Sequence, residues 1–434
     1  MPLTTKLGPC LALAVTVSLA APVAVRGAPT EEDLPPEKIF EINPSGVQLL
    51  RLAVPRAEGD TGAVAAETIS KDMDVTGLFQ VLDPQSFPAQ LQSEGLAFSS
   101  ALWTQVGAQV VIKMRASGGA LEGKLFVVAR GDEPTLNKSY RNADIRDAVH
   151  EFANDIVQAT TGKRGVFGSR IAFAMSGRGS HEIGSVDMDG GRMAVLTKMG
   201  SDSLLPAYSP GGAEIAFTSY ARNNPDLWIV ASGGGRARRV SKQPGLNTGA
   251  AWSPDGRVLA LTMSYEGNSE IYRISPDDGR VLGRLTQSPA IDSSPSYSPD
   301  GSQIAFVSNR QGSPQIFVMS ASGGGAKRVT FQGKYNQTPR FNPRSDKQQI
   351  AFTGRDEKGA FDVFILDLKT TRTERVAATA RGSNLDPTWS PDGRLLAYTS
   401  SRGGLFVYNP ETHHEVQVWK GTASSPTWGP APRR

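Results

Sequence analysis

The chain has 434 residues, with 46 Lys and Arg against 42 Asp and Glu and a formal net charge of +4. This near-neutrality gives no electrostatic reason to expect nucleic acid or anionic lipid as a partner. Disulfides are excluded by a single cysteine, Cys10, while 46 Gly and 29 Pro favour tight turns over long helices.

Residues 1–27 read as a secretory signal peptide: Lys6 precedes an apolar run from Leu11 to Ala21, and small residues follow. Cleavage is expected after Ala20 or Gly27. Pro22 and Arg26 interrupt the run, which is too short for a membrane anchor. Removal of this segment takes away Cys10, Lys6 and Arg26, leaving 44 basic and 42 acidic residues, or +2. No later stretch reaches the roughly 18 apolar residues a membrane helix needs, so no direct membrane insertion is expected.

Residues 28–43 are polar, contain Pro35-Pro36 and read as an extended arm. A small α/β domain with a mixed sheet is expected over 44–165. Its predicted elements are strands at Val47 to Val54, Leu78 to Leu82, Gln109 to Arg115 and Leu121 to Arg130, and helices at Thr61 to Thr76 and Ser99 to Val106. The last helix, Asp144 to Ala159, places Ile145, Ala148, Val149, Phe152, Ile156 and Ala159 on one face and ends at Gly162.

From 166 to 434 the chain repeats. An apolar triplet recurs at Ile171, Ile215, Leu259, Ile304, Ile350 and Leu396, at spacings of 44, 44, 45, 46 and 46 residues. A Pro-x-aromatic-Ser-Pro element precedes the later copies, as in Pro295-Ser-Tyr-Ser-Pro and Pro387-Thr-Trp-Ser-Pro. A period in the forties with several short strands per unit is the pattern of a β-propeller. Ser-Pro-Asp-Gly supplies turn chemistry, and the unalternated Ile-Ala-Phe triplet suits a strand buried on both faces. Gly-rich hairpins lead to a fourth strand carrying Arg238, Arg239, Arg284, Lys327, Arg328 and Arg375, cations that would protect an outer edge. The first unit lacks an inner strand, and the closing Pro426-Thr-Trp lacks what should follow it. The prediction is therefore a mainly β chain: a six-bladed propeller, closed by its C-terminal strand, behind an α+β domain.

Catalytic and metal motifs are scarce. His150, His181, His413 and His414 show no metal-site spacing with a second His or Cys, and His413-His414 reads as a hairpin tip. Gly162-Lys163 lacks the rest of a P-loop, and Gly-x-Ser-x-Gly is absent. Asp255, Asp300 and Asp392 could suggest a glycosidase, but equivalent turns of different blades hold them apart, and turn chemistry explains them. No catalytic residue, cofactor or metal is expected. The alternatives are a propeller hydrolase or lyase acting on periplasmic glycans or peptides, and a cation sensor using channel carboxylates.

Gly77-Leu-Phe-Gln-Val-Leu-Asp-Pro, the junction from Thr161 to Phe173, the Ser-Pro-Asp-Gly repeats and the closing Pro-Thr-Trp together resemble the TolB family of periplasmic propellers, across essentially all of the mature chain. The resemblance implies a non-enzymatic periplasmic adaptor of the Tol–Pal system, monomeric on its own, supporting outer-membrane integrity and invagination at division. It implies docking of a peptidoglycan-associated lipoprotein (Pal) at the channel mouth, through loops that include Asn247, Thr248, Gly249, Asp292, Ser293, Ser294, Asn336 and Gln337. In the first of these loops the chain carries Leu246 rather than a His. It also implies that TolA is engaged through the arm residues Lys38, Ile39, Phe40, Glu41, Ile42 and Asn43.

Overall fold

A computed structural model describes residues 49–177, 179–355, 359–376 and 382–431. The expected signal peptide and the arm, including Lys38 to Asn43, lie outside the described residues. Among the described residues no helix is long and apolar enough to cross a membrane.

The N-terminal region is a five-stranded mixed sheet. In chain order come β1 (Leu50–Ala53), α1 (Gly62–Val75), β2 (Phe79–Val81), α2 (Ala89–Gln92), α3 (Ser100–Gln105), β3 (Val110–Ser117), β4 (Ala120–Val127), β5 (Leu136–Arg141) and α4 (Ile145–Thr161). The strand order is β2-β1-β3-β4-β5, with β1 parallel to β2 and β3 and the remaining pairs antiparallel. The apolar stripe of α4 packs with α1 over one face of the sheet, through Ile69, Met73, Val149, Phe152 and Ile156. Phe87, Leu91 and Trp103 cover the other face. Asp144 starts α4 by accepting from the Arg146 amide, and Gly162 ends it at φ 73°, a left-handed cap that glycine adopts without Cβ strain. The edge strand β5 has no counterpart in the sequence reading.

Six four-stranded antiparallel sheets follow, one per blade. Blades 1 to 5 open with inner strands Ser203–Tyr208, Asn247–Trp252, Asp292–Tyr297, Asn336–Phe341 and Asn384–Trp389. The sixth takes its inner strand from the C-terminus: Ala423–Trp428 pairs antiparallel with Arg170–Ser176, with Trp428 opposite Ile171. Trp428 Nε1 also donates to Ser169 Oγ at 2.9 Å. The second strands are buried along their middles, and their central alanines (172, 216, 260, 305, 351 and 397) let adjacent blades approach.

Each inner strand runs from the channel's open end toward its Ser-Pro turn, so the links from one blade to the next share the open end. The N-terminal domain packs at the other end. Asn409 Nδ2 donates to the Thr76 carbonyl at 2.7 Å, His414 Nε2 lies 3.1 Å from Asp74, and Arg394 Nη2 donates to the Arg164 carbonyl at 2.7 Å. One continuous apolar cluster joins α1 and α4 to Ile171, Val186, Leu395, Val407 and Trp428. Among the described residues the domain leaves the opposite mouth uncovered.

Candidate docking face at the channel mouth

The residues expected in mouth loops belong to strands, and this corrects the sequence reading. Asn247, Asp292 and Asn336 open the inner strands of blades 2, 3 and 4 and are fully buried. Their polar groups point into the seams between blades. The Asn247 amide donates to the Pro225 carbonyl at 3.0 Å, and its Oδ1 accepts from Ser241 Oγ at 2.6 Å, both in the preceding blade. Asn336 Nδ2 donates to Gln315 Oε1 at 2.8 Å, and Asn384 Nδ2 to Asp362 Oδ1 at 2.9 Å. Asp292 is tied back by its amide to the Ser269 carbonyl at 2.9 Å, and its Oδ2 pairs with Arg310 at 2.7 Å. Burial pushes the Asp292 carboxyl above the usual range. Asn247, Asn336 and Asn384 are side-chain clasps between blades, because a polar group sealed in a seam must find a partner there, whereas the Asp292 carboxylate pairs within its own blade and only its amide reaches the preceding one.

The cations of the fourth strands brace single blades from within. Arg239 pairs with Asp226 at 3.1 Å, Arg284 with Glu270 at 3.0 Å and Arg375 with Asp362 at 2.5 Å, and all three carboxylates are buried. Each pair ties the fourth strand to the third strand of its own blade, and Asp362 also takes the Asn384 bond from the next blade.

Thr248, Ser293 and Gln337, one position further along, are half-buried and line the mouth. Next comes a left-handed residue in every blade: Leu205, Gly249, Ser294, Thr338, Asp386 and Ser425, with φ between 50° and 65°. The inner strand's register against the second strand shifts at this point, bulging the backbone where the channel opens. Around the mouth, Tyr220, Leu246, Ile291 and Phe331 are exposed to 41%, 36%, 52% and 71%. Ile291, Ser293, Ser294, Tyr335 and Gln337 line a cavity of about 200 Å³ between blades 3 and 4. The polar members of this rim are expected from the sequence, whereas Ile291 and Phe331 are not. Their signal in the sequence is an apolar residue placed in a polar linker before an inner strand.

The Ser-Pro-Asp-Gly carboxylates lie at the other end and bond within their own turns. Asp255 accepts from Ser253 Oγ at 2.6 Å, Asp300 from Ser298 Oγ at 2.5 Å and Asp392 from Ser390 Oγ at 2.7 Å. These bonds, with the Ser302 amide and hydroxyl, hold the Asp300 carboxyl down to about 2.

A charged cluster that the sequence did not reveal is buried where α1 and α4 meet blade 6. Ligand atoms of Asp72, His150 and Asp189 lie within 4.8 Å of one another. Cations already balance the acids: Arg146 pairs with Asp189 at 2.6 Å, and Arg192 and Arg170 each pair with Asp187 at 2.6 Å. The cluster reads as a fastening of the N-terminal domain onto the propeller.

Two family profiles match the chain. One is described as the TolB beta propeller domain, over residues 157–432, and the other as the TolB amino-terminal domain, over residues 39–130. The Tol-Pal system protein TolB of Anaeromyxobacter dehalogenans (strain 2CP-1 / ATCC BAA-258) is 40% identical over 216 residues, 46% of each chain. A protein TolB homolog of Chlorobium chlorochromatii (strain CaD3) is 37% identical over 229 residues, 49% of this chain and 50% of the relative. The chain thus spans about half the length of the curated relatives it matches. The crystal structure of TolB from Acinetobacter baumannii superposes with a TM-score of 0.76 at 25% identity, covering 89% of this chain and 97% of that one.

Proposed function

Because the chain belongs to the TolB family, we propose that it is a non-enzymatic periplasmic adaptor of the Tol–Pal system, docking a peptidoglycan-associated lipoprotein at the channel mouth. The observation that carries the docking site is the rim of exposed apolar side chains, Leu246 and Ile291 foremost, around a mouth that the described residues of the N-terminal domain leave uncovered. Such a rim is what a partner needs to displace water, and the half-buried Thr248, Ser293 and Gln337 beside it offer polar groups to fix orientation. Gly249 and Ser294 shape the backbone between them. In this reading Asn247, Asp292 and Asn336 support the face from behind rather than touch the partner. Lys38 to Asn43 supply a second contact, for TolA, and the two contacts together link envelope layers to support outer-membrane integrity and invagination at division.

The test is calorimetric titration of the purified protein with the soluble domain of a peptidoglycan-associated lipoprotein from the same cell. A one-to-one complex is expected, weakened by Leu246→Asp or Ile291→Asp and unchanged by removal of residues 38–43. Removal of those residues should instead abolish capture of TolA. A complex that survives both charge substitutions places the docking site elsewhere.

A further inference from the structure

At the fifth position of the six inner strands stand Ala207, Ala251, Ser296, Arg340, Thr388 and Thr427. Five are small, so the ring leaves room for the one long side chain among them. Counting from the strand start at Asn336, Arg340 sits about 13 Å below the mouth at about 3.3 Å per residue. Among the described residues its guanidinium donates one hydrogen bond, from Nη1 to the carbonyl of Pro339 at 3.0 Å. Four arginines elsewhere in the blades contact carboxylates: Arg239, Arg284, Arg310 and Arg375 each reach one within 3.1 Å. Asp386 is the carboxylate that acts on Arg340, and it does so from beyond ion-pair contact. Asp386 Oδ2 accepts instead from the amide and hydroxyl of Ser425 at 3.2 and 3.3 Å. Both residues are half-buried, so the deep channel wall keeps a charged group within reach of solvent.

A guanidinium presents five N–H donors in a planar fork that matches a carboxylate bidentately. With one donor used, most of the fork remains open in a half-buried recess, where a cation without a contact partner is costly. We propose that Arg340 is a carboxylate-binding site inside the propeller channel, taking a single carboxylate group that enters from the open mouth. Asp386 limits the affinity, because it competes for the same cation and repels the incoming charge. The site lies below the apolar rim and does not require that rim to bind a lipoprotein, so the two ideas can fail separately.

The experiment follows the arginine Nε–H resonances of ¹⁵N-labelled protein, with the Arg340 signal identified by its loss in Arg340→Gln. The probes are sodium acetate, a Gly-Gly-Glu-Gly-Gly peptide with blocked ends, its Gln counterpart, and sodium chloride at matched ionic strength. The Arg340 resonance is expected to shift saturably with the Glu peptide and not with the Gln peptide or chloride. Asp386→Asn should tighten that binding by about tenfold or less, the scale of one charge interaction in a partly wetted site. A response to the Glu peptide alone identifies a protein segment as the source of the carboxylate, and a response to acetate as well extends the site to free carboxylates. The proposal is overturned if neither carboxylate moves the resonance, if chloride moves it equally, or if Asp386→Asn weakens binding while circular dichroism shows the fold intact.

Discussion

His150 Nδ1 stands 2.8 Å from Asp72 Oδ2, joining α4 to α1 with both side chains sealed from solvent. The ring's other nitrogen lies 3.6 Å from Asp187 of blade 6, and Arg146, Arg192 and Asp189 face the same space. Phe167 stacks on the ring at 6.4 Å. Burial opposes a charged imidazole here, but Asp72 and Asp187 outweigh it and hold His150 protonated up to about 10. Burial also pushes the Asp72 carboxyl up to about 6. Between those values the two form an ion pair.

This pair should make stability depend on pH in a definite direction. His150 is raised above its unfolded value of 6.5, so its stabilisation is complete below that pH and fades as pH rises through 10. Melting temperature is therefore expected to fall between pH 7 and pH 10, and His150→Gln should flatten that slope. The variant leaves Asp72 buried without its cation and should lose about 3 kcal/mol at pH 8. It should recover part of the loss toward pH 5, as Asp72 takes up a proton. Thermal melts of both proteins across this range provide the check.

The clasps between blades predict a separation of stability from docking. Asn336→Leu leaves the Gln315 side chain short of a partner in a sealed seam and should cost about 1–3 kcal/mol in urea unfolding. Lipoprotein affinity, measured well below the unfolding transition, should change less than twofold (about 0.4 kcal/mol). A large loss of affinity in a stably folded Asn336→Leu protein would return this residue to the contact surface.

Substitutions on the rim should behave in the opposite way. Ile291 is 52% exposed, so Ile291→Asp removes little packing and should shift stability by no more than about 0.5 kcal/mol. If Ile291 anchors the partner, complex formation should weaken by about 2 kcal/mol or more. Parallel melts and titrations of the one variant give both readouts.

The left-handed bulge can be tested at Ser294, whose φ is 54°. Gly249 fills the equivalent place in blade 2 without a Cβ. Ser294→Gly should raise stability by about 0.5 kcal/mol, the relief offset by greater freedom of the unfolded chain. Ser294→Val should cost about 1–2 kcal/mol, because a β-branched residue is strained there. Chemical denaturation of the pair settles the sign.

The propeller could be read from the sequence because each blade repeats its apolar triplet and its turn, and both signals are local. The strand β5, Leu-Asn-Lys-Ser-Tyr-Arg, escaped notice because it is a mostly exposed edge with too few apolar residues to alternate. The clasp residues were misplaced for a related reason. A polar residue ahead of a strand resembles a loop, and only the third-strand partners Gln315 and Asp362 reveal the buried seam. His150 and Asp72 are 78 residues apart on two amphipathic helices, with no shared motif to connect them. Arg340 was legible as an oddity, a charged residue where the other repeats carry Ala, Ser or Thr, but its surroundings came only from the assembled ring.

The bond from Trp428 to Ser169 spans 259 residues. A ribosome makes Ser169 long before Trp428, and a nascent chain lacking its final segment leaves the Arg170–Ser176 edge without a neighbour. Blade 6 therefore acquires its last strand only after synthesis of the whole ring, a contact of very high order that slows folding. Under the proposed periplasmic role, which requires export, that delay has a use, since the ring cannot lock before its end has been delivered. It also makes a prematurely ended chain conspicuous, with an open apolar edge that proteases and chaperones can recognise.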